Sequence, residues 1–148
     1  MKPISHSLYR KGKGAATFGF SLPPEDFKTG TFFISVAEPL QNDGEKFNWD
    51  QKITIALSVD EVGKLLLSLG GVQQDFFHDR NMGTSKQGES ATIMRIRPSD
   101  DNKVLFLNLS KKNGDQIQKG PAIVISKADA IVLKSLMTAA IPRMLGWT

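Results

Sequence analysis

Apolar and polar residues alternate from Ile53 to Val59, with Ile53, Ile55, Leu57 and Val59 set against Thr54, Ala56 and Ser58. That period of two predicts a strand with one face in a core. The period then becomes helical: Val59, Val62, Leu65, Leu66 and Leu69 share one arc, with Asp60, Glu61, Lys64 and Ser68 opposite. Ser58, followed three residues later by Glu61, has the form of a capping box and fixes the helix start. Gly70-Gly71 tolerates a left-handed cap, so the helix ends there and residues 72–79, with Phe76 and Phe77, return to strand.

Other stretches repeat the two-residue period. Phe18, Phe20 and Leu22 alternate with Thr17, Gly19 and Ser21 as far as Pro23-Pro24, and Phe32, Ile34 and Val36 alternate with Phe33, Ser35 and Ala37. Residues 39–46 read as a polar turn around Asn42-Asp43-Gly44, and residues 80–88 as a loop. Residues 90–97 predict a strand with Arg95 and Arg97 on one face. Residues 103–110 predict another, with Leu105, Leu107 and Leu109 facing one way and Val104, Phe106 and Asn108 the other. Lys111-Lys112-Asn113-Gly114 reads as a hairpin turn and residues 122–125 as a short last strand. Residues 1–7 have no pattern, which predicts a flexible arm over residues 1–8 ahead of a single domain, 9–148.

Ser126, with Asp129 three residues on, caps a final helix from Lys127 to about Ile141, where Pro142 is expected to end or kink it. Its apolar positions, among them Val132, Leu133, Leu136, Met137 and Ala140, cover about half the wheel, about twice what docking on one sheet needs. Part of that surface is therefore expected to meet a second subunit. The order is four strands, helix, four strands, helix. Without βαβ alternation, the fold class is α+β with antiparallel sheets.

Composition narrows the chemistry. A chain of 148 residues without cysteine has length for one core and excludes disulfide scaffolds, thiolate metal sites and cysteine nucleophiles. No apolar run approaches the roughly 18 residues of a membrane span, so no membrane partner is expected. With two histidines and no HxH, HExxH or paired-acid motif, neither catalysis, a metal nor a cofactor is expected; His78 reads as a strand-end hydrogen-bonding group. The net charge is +4, and the excess of bases lies in residues 1–24 and 80–119, whereas acids dominate 25–79. Such a distribution points to an anionic partner.

Three motifs carry a family resemblance. The Phe47-Asn48-Trp49 aromatic pair with the alternating strand, then ALSVDEVGKLL and FFHD, resembles the Whirly family of single-stranded DNA-binding proteins. Tyr9-Arg10-Lys11-Gly12-Lys13-Gly14-Ala15-Ala16 is similar to that family's KGKAAL signature, and Ile141 to Trp147 resembles its P-x-x-x-GW terminus. The likeness runs from about Tyr9 to Trp147. One departure is Gly14, where the family usually has Ala, which would leave a more flexible arm. The resemblance implies two four-stranded sheets per subunit (β4-α-β4-α) and a homotetramer with the final helices at its centre, with higher-order assembly on long DNA. It also implies single-stranded DNA as partner, with little sequence preference. An RNA-annealing protein of the same fold and a transcription-associated oligomer are the alternatives. Since about eight residues precede the signature, where plant members carry transit peptides, the expectation is a bacterial or phage protein of the cytoplasm; an organelle protein shorn of its transit peptide is the alternative.

Single-stranded nucleic acid needs cations for phosphates and exposed rings for bases. The candidate cations are Lys11, Lys13, Lys52, Lys86, Arg95, Arg97, Lys111 and Lys112. The candidate rings are Tyr9, Phe33, Trp49, Phe77 and Phe106, with Ser35 and Asn108 on the same strand faces to reach base edges.

Overall fold

Pairing of the alternating segments builds two antiparallel sheets against two helices. The computed structural model describes residues 4–26, 28–41, 43–79, 83–85, 87 and 89–147, with backbone alone at 43–45. In chain order the elements are β1 (Ile4–Arg10), β2 (Gly14–Phe20), β3 (Phe32–Ala37), β4 (Pro39–Leu40), β5 (Asp43–Phe47), a 3₁₀ turn (Trp49–Gln51), β6 (Ile53–Leu57) and α1 (Val59–Leu69). There follow β7 (Gln74–Asp79), β8 (Ser90–Pro98), β9 (Val104–Asn113), β10 (Gln116–Lys119), β11 (Ile123–Ser126) and α2 (Lys127–Met144). The first sheet runs β1-β2-β3-β6; the second runs β7-β8-β9, with β10 and β11 sharing the far edge of β9. β4 and β5 form a small separate hairpin.

The α+β order is the expected one, but in place of two four-stranded sheets the second sheet has five strands and the β4–β5 pair stands apart; four further differences have physical causes. Residues 4–8, expected as a flexible arm, belong to β1, which pairs with β2 from Ile4–Phe20 to Arg10–Gly14. Only Leu8 of this edge strand is buried, so backbone bonding holds it and no alternation announces it. Residues 1–3 lie outside the described residues. The polar turn at 39–46 contains the β4–β5 pair, with residue 42 undescribed. Lys111 and Lys112, read as a turn, lie within β9 on opposite faces; the turn is Gly114-Asp115. Finally, α2 passes through Pro142 to Met144, because proline removes only one donor and the last turn is held at both ends: Met144 is fully buried and its carbonyl accepts from Gly30 N at 2.7 Å.

One face of each sheet and one side of each helix share a continuous core, including Phe18, Phe32 and Ile55 from the first sheet and Met94, Ile96 and Leu107 from the second. Burying a side chain of this size stabilises by about 1.5–3 kcal/mol, against 1 or less for a surface ion pair, so apolar contact sets the architecture. On α2 the buried residues are Leu133, Met137, Ala140 and Met144. This corrects the expected oligomer face: Leu133, Met137 and Ala140 are 0% exposed within one subunit and have no surface left to offer another. The outward side instead carries Ile131 at 69% and Val132 at 46% exposure, with Leu136 between the two environments.

Both helix starts carry capping boxes: Ser58–Glu61 as read from sequence, and Ser126–Asp129, where the sequence shows a capping serine and an acid suited to the helix dipole. Each box also reaches a distant element. His78 Nε2 on β7 lies 2.6 Å from Glu61 Oε2, and Arg10 Nη2 on β1 donates to Asp129 Oδ2 at 2.5 Å. Burial opposes ionisation of both carboxyls, yet these bonds and those from the capping serines hold both below the usual carboxylate range.

The two halves of the fold pack tightly where β2 begins and where the chain leaves β10. A Cβ on Gly14 would stand 2.7 Å from Pro121, and one on Gly120 would stand 2.8 Å from Val36 Cγ2. Gly14 is therefore a packing residue rather than a source of flexibility. We expect Gly14→Ala to lower unfolding free energy by about 1–3 kcal/mol, the range for overpacking, in denaturant titration. A stability equal to wild type would mean that the sheets can move apart at this joint without cost.

Candidate functional site

A groove of about 680 Å³ opens at one end of the first sheet, lined by Tyr9, Lys11, Leu40, Lys46, Phe47 and Trp49. Three separate segments meet there because the β1–β2 turn, the β4–β5 hairpin and the 3₁₀ turn all lie at that end. Lys13 N donates to Arg10 O at 2.9 Å and Gly12 takes φ +72°, closing a tight turn that carries Lys11 and Lys13 past the sheet edge. The Tyr9 and Phe47 rings lie 5.8 Å apart at 30°, a stacked pair with Tyr9 60% exposed. Half-buried Trp49 adds a third ring, and Lys11 and Lys46 are exposed at the mouth. Such a groove suits a flat, apolar ring attached to an anionic group.

Of the expected residues, the groove gathers Tyr9, Lys11 and Trp49; Lys13 is in the same turn and Lys52 follows the 3₁₀ turn. Phe33 and Ser35 face outward from β3 in the same sheet, where Ser35 Oγ is 2.7 Å from Thr54 Oγ1. Sequence reasoning missed Phe47, Lys46 and Leu40. Phe47 belongs to a recognised aromatic pair, but its ring partner Tyr9 is 38 positions earlier, a contact only the fold reveals. Arg10, between these residues, points the other way: its guanidinium donates to Val124 O and Asp129, which makes it a structural tie.

The second sheet carries the remaining candidates, and its two arginines already have partners. Asp75, Arg95 and Asn108 lie in one row across β7, β8 and β9, and Arg95 Nε donates to Asp75 Oδ1 at 2.7 Å. Arg97 sits over the Phe106 ring at 4.9 Å, a cation–π contact that covers one face of that aromatic. Phe77 pairs with Ile93, and both are exposed. Lys112 faces outward in this sheet, whereas Lys111 shares the inward parity of Leu109. Lys86 lies outside the described residues. Among the described residues no three His, Cys, Asp or Glu side chains gather as a metal site requires, and no helix is long and apolar enough to cross a membrane.

A family model described as Whirly transcription factor matches residues 16–136. The chain is 32% identical over 155 residues to the chloroplastic single-stranded DNA-binding protein WHY1 of Zea mays, covering 97% of this chain and 57% of the relative. It is 31% identical over 118 residues to the mitochondrial single-stranded DNA-binding protein WHY2 of Arabidopsis thaliana, covering 79% and 47%. It thus spans about half the length of the curated relatives it matches. The crystal structure of Arabidopsis thaliana WHY1 superposes with a TM-score of 0.86 at 27% identity over 99% of this chain and 93% of that one. That of the plant transcriptional regulator PBF-2 gives 0.83 at 27% identity, over 99% and 85%.

Proposed function

Because the chain belongs to the Whirly family, we propose that it binds single-stranded DNA with little sequence preference, in the maintenance, repair, replication or transcription of DNA. The observation that carries this reading is the groove in which Tyr9, Phe47 and Trp49 stand beside Lys11 and Lys46. Stacking on a ring is worth about 1–3 kcal/mol per base and accepts any base, whereas a duplex keeps its bases stacked on one another and has none to give. The relatives' compartments favour the organelle alternative over the cytoplasm of a bacterium or phage-infected cell.

The proposed homotetramer forms through the outward side of α2, where Ala128, Ile131, Val132, Ser135 and Ala139 are exposed. Small and β-branched side chains allow close helix approach, and Ile131 and Val132 supply the apolar area. The β1–β2 turn carries Lys11 and Lys13 at the sheet edge, where they can meet phosphate or a neighbouring assembly on a long strand.

The direct test is titration of one labelled sequence as single-stranded DNA, duplex DNA and RNA. Single-stranded DNA is expected to bind well above duplex, and Phe47→Ala to cost about 1–3 kcal/mol of that affinity. Equal affinity for duplex and single strand overturns the stacking reading, and tighter binding of RNA transfers it to the RNA alternative. Asp75→Asn frees Arg95 for phosphate, so affinity is expected to rise and the salt slope to steepen by about 0.7, the value of one contact on a single strand. An unchanged slope removes Arg95 from the interface. Val132→Asp is expected to convert the tetramer to smaller species in light scattering without loss of fold, since Val132 is exposed within the subunit; a wild-type mass of one subunit would refute the assembly.

A further inference from the structure

The open face of the first sheet has an arrangement that stacking alone does not explain. Strand register places Ser7, Thr17, Ser35 and Thr54 side by side across β1, β2, β3 and β6. The four hydroxyls form two bonded pairs, Ser7–Thr17 at 3.0 Å and Ser35–Thr54 at 2.7 Å. On one flank lies the row Tyr9–Ala15–Ala37, of which Tyr9 is exposed and both alanines are buried, and on the other the row that contains exposed Phe33 and buried Gly19. Each stands about 7 Å away, two residues along the strands, and the hydroxyl row spans about 14 Å across four strands.

No outward side chain on these four strands is charged; they are Ser, Thr, Ala, Gly, Phe and Tyr. The outward face of the second sheet, by contrast, carries Asp75, Arg95, Arg97 and Lys112. A face kept wet only for solubility would resemble the second sheet. Of the cations near the first sheet, Lys11, Lys13, Lys46 and Lys52 stand at its Tyr9 end and Lys28 in the β2–β3 connection at the other, all beyond the floor itself. Phosphates therefore find their counter-charges at the margins, most of them at the Tyr9 end, and the floor is left to uncharged groups.

We propose that the Ser7–Thr17–Ser35–Thr54 row is a base-edge contact track, and that its paired hydroxyls are what make contact with the bases indifferent to sequence. This rests on the single-stranded nucleic-acid reading and adds which part of the strand meets the sheet. In each pair one hydroxyl donates to the other, and the acceptor keeps its own hydrogen for the ligand. Reversing the direction moves that hydrogen to the other member without breaking the pair. Each pair thus offers a donor and an acceptor in either order. The exposed edges of adenine, cytosine and thymine each combine donors and acceptors in different orders, so one pair can answer all three.

The experiment compares oligo(dA), oligo(dC), oligo(dT) and an abasic oligonucleotide of the same length, binding to wild type and to the double variant Thr17→Val, Ser35→Ala, which removes one member of each pair. Wild type should bind the three base-bearing strands within a few-fold of one another. The variant should lose about threefold to tenfold on these strands for each hydrogen bond removed, lose them unevenly, and bind the abasic strand as wild type does with the same salt slope. An equal loss on the abasic strand, or no loss on any strand, overturns the proposal. If wild type binds none of the strands, the underlying reading fails first, so the two failures are distinct. Should the double variant melt at a lower temperature than wild type, exposed Thr54→Val, which keeps the side-chain shape, is measured against the same strands with the same outcomes.

Discussion

The close approach of the two sheets at Gly14, Gly120 and Pro121 is the constraint on which the remaining structure depends. A side chain at either glycine would collide with the opposite sheet, so the start of β2 and the exit from β10 are locked together at van der Waals distance. Beside this joint, Arg10 bonds to the Val124 carbonyl and to the Asp129 carboxylate that also caps α2. The first sheet, the last strand and the last helix are therefore fixed by neighbouring contacts. The β1–β2 turn springs from this fixed point, which is why Lys11 and Lys13 occupy a defined place at the groove rather than the end of a loose arm.

That rigidity also separates the two faces of each sheet. Alternation sends Leu8, Phe18, Ile34 and Ile55 into the core and leaves Tyr9, Thr17, Phe33 and Thr54 outside, and a slip of one residue would exchange the sets. The cost of a slip is several buried apolar side chains at about 1.5–3 kcal/mol each, far more than any outward contact could return. The core thus fixes the register, and the register in turn fixes which outward residues are neighbours. Outward positions can then be spent on binding without endangering the fold.

What was legible in the sequence follows from the same division. The two helix starts were readable because each cap involves residues three apart, and the core strands because burial on one face enforces a strict period. β1 was not, since an edge strand with one buried residue has no apolar period to show. The faces of α2 were misassigned in part because half of its wheel is apolar: sequence marks Leu133 and Val132 alike, and only packing against α1 and the sheets buries one and exposes the other. The groove was half legible. Tyr9, Lys11 and Trp49 were chosen on chemistry, whereas Phe47, Lys46 and the hydroxyl row depend on pairings between segments far apart in the chain.

The cations divide by type in a way that bears on binding. Arg10, Arg95 and Arg97 are each engaged, with a carboxylate and carbonyl, a carboxylate, and an aromatic ring. The planar guanidinium fits such fixed partners, and holding it there shapes the protein. Among the described residues Lys13, Lys46 and Lys52 make no ion pair, and they cluster at the margin of an uncharged sheet face. An ammonium on a flexible stem suits a phosphate whose position varies from one strand to the next, because it attracts as a point charge and demands little geometry. Arg10, which ties the first sheet to the last strand and helix, and lysines that make no ion pair are therefore complementary: the first helps to fix where the rings and hydroxyls stand, and the second draw in a polyanion without dictating its sequence.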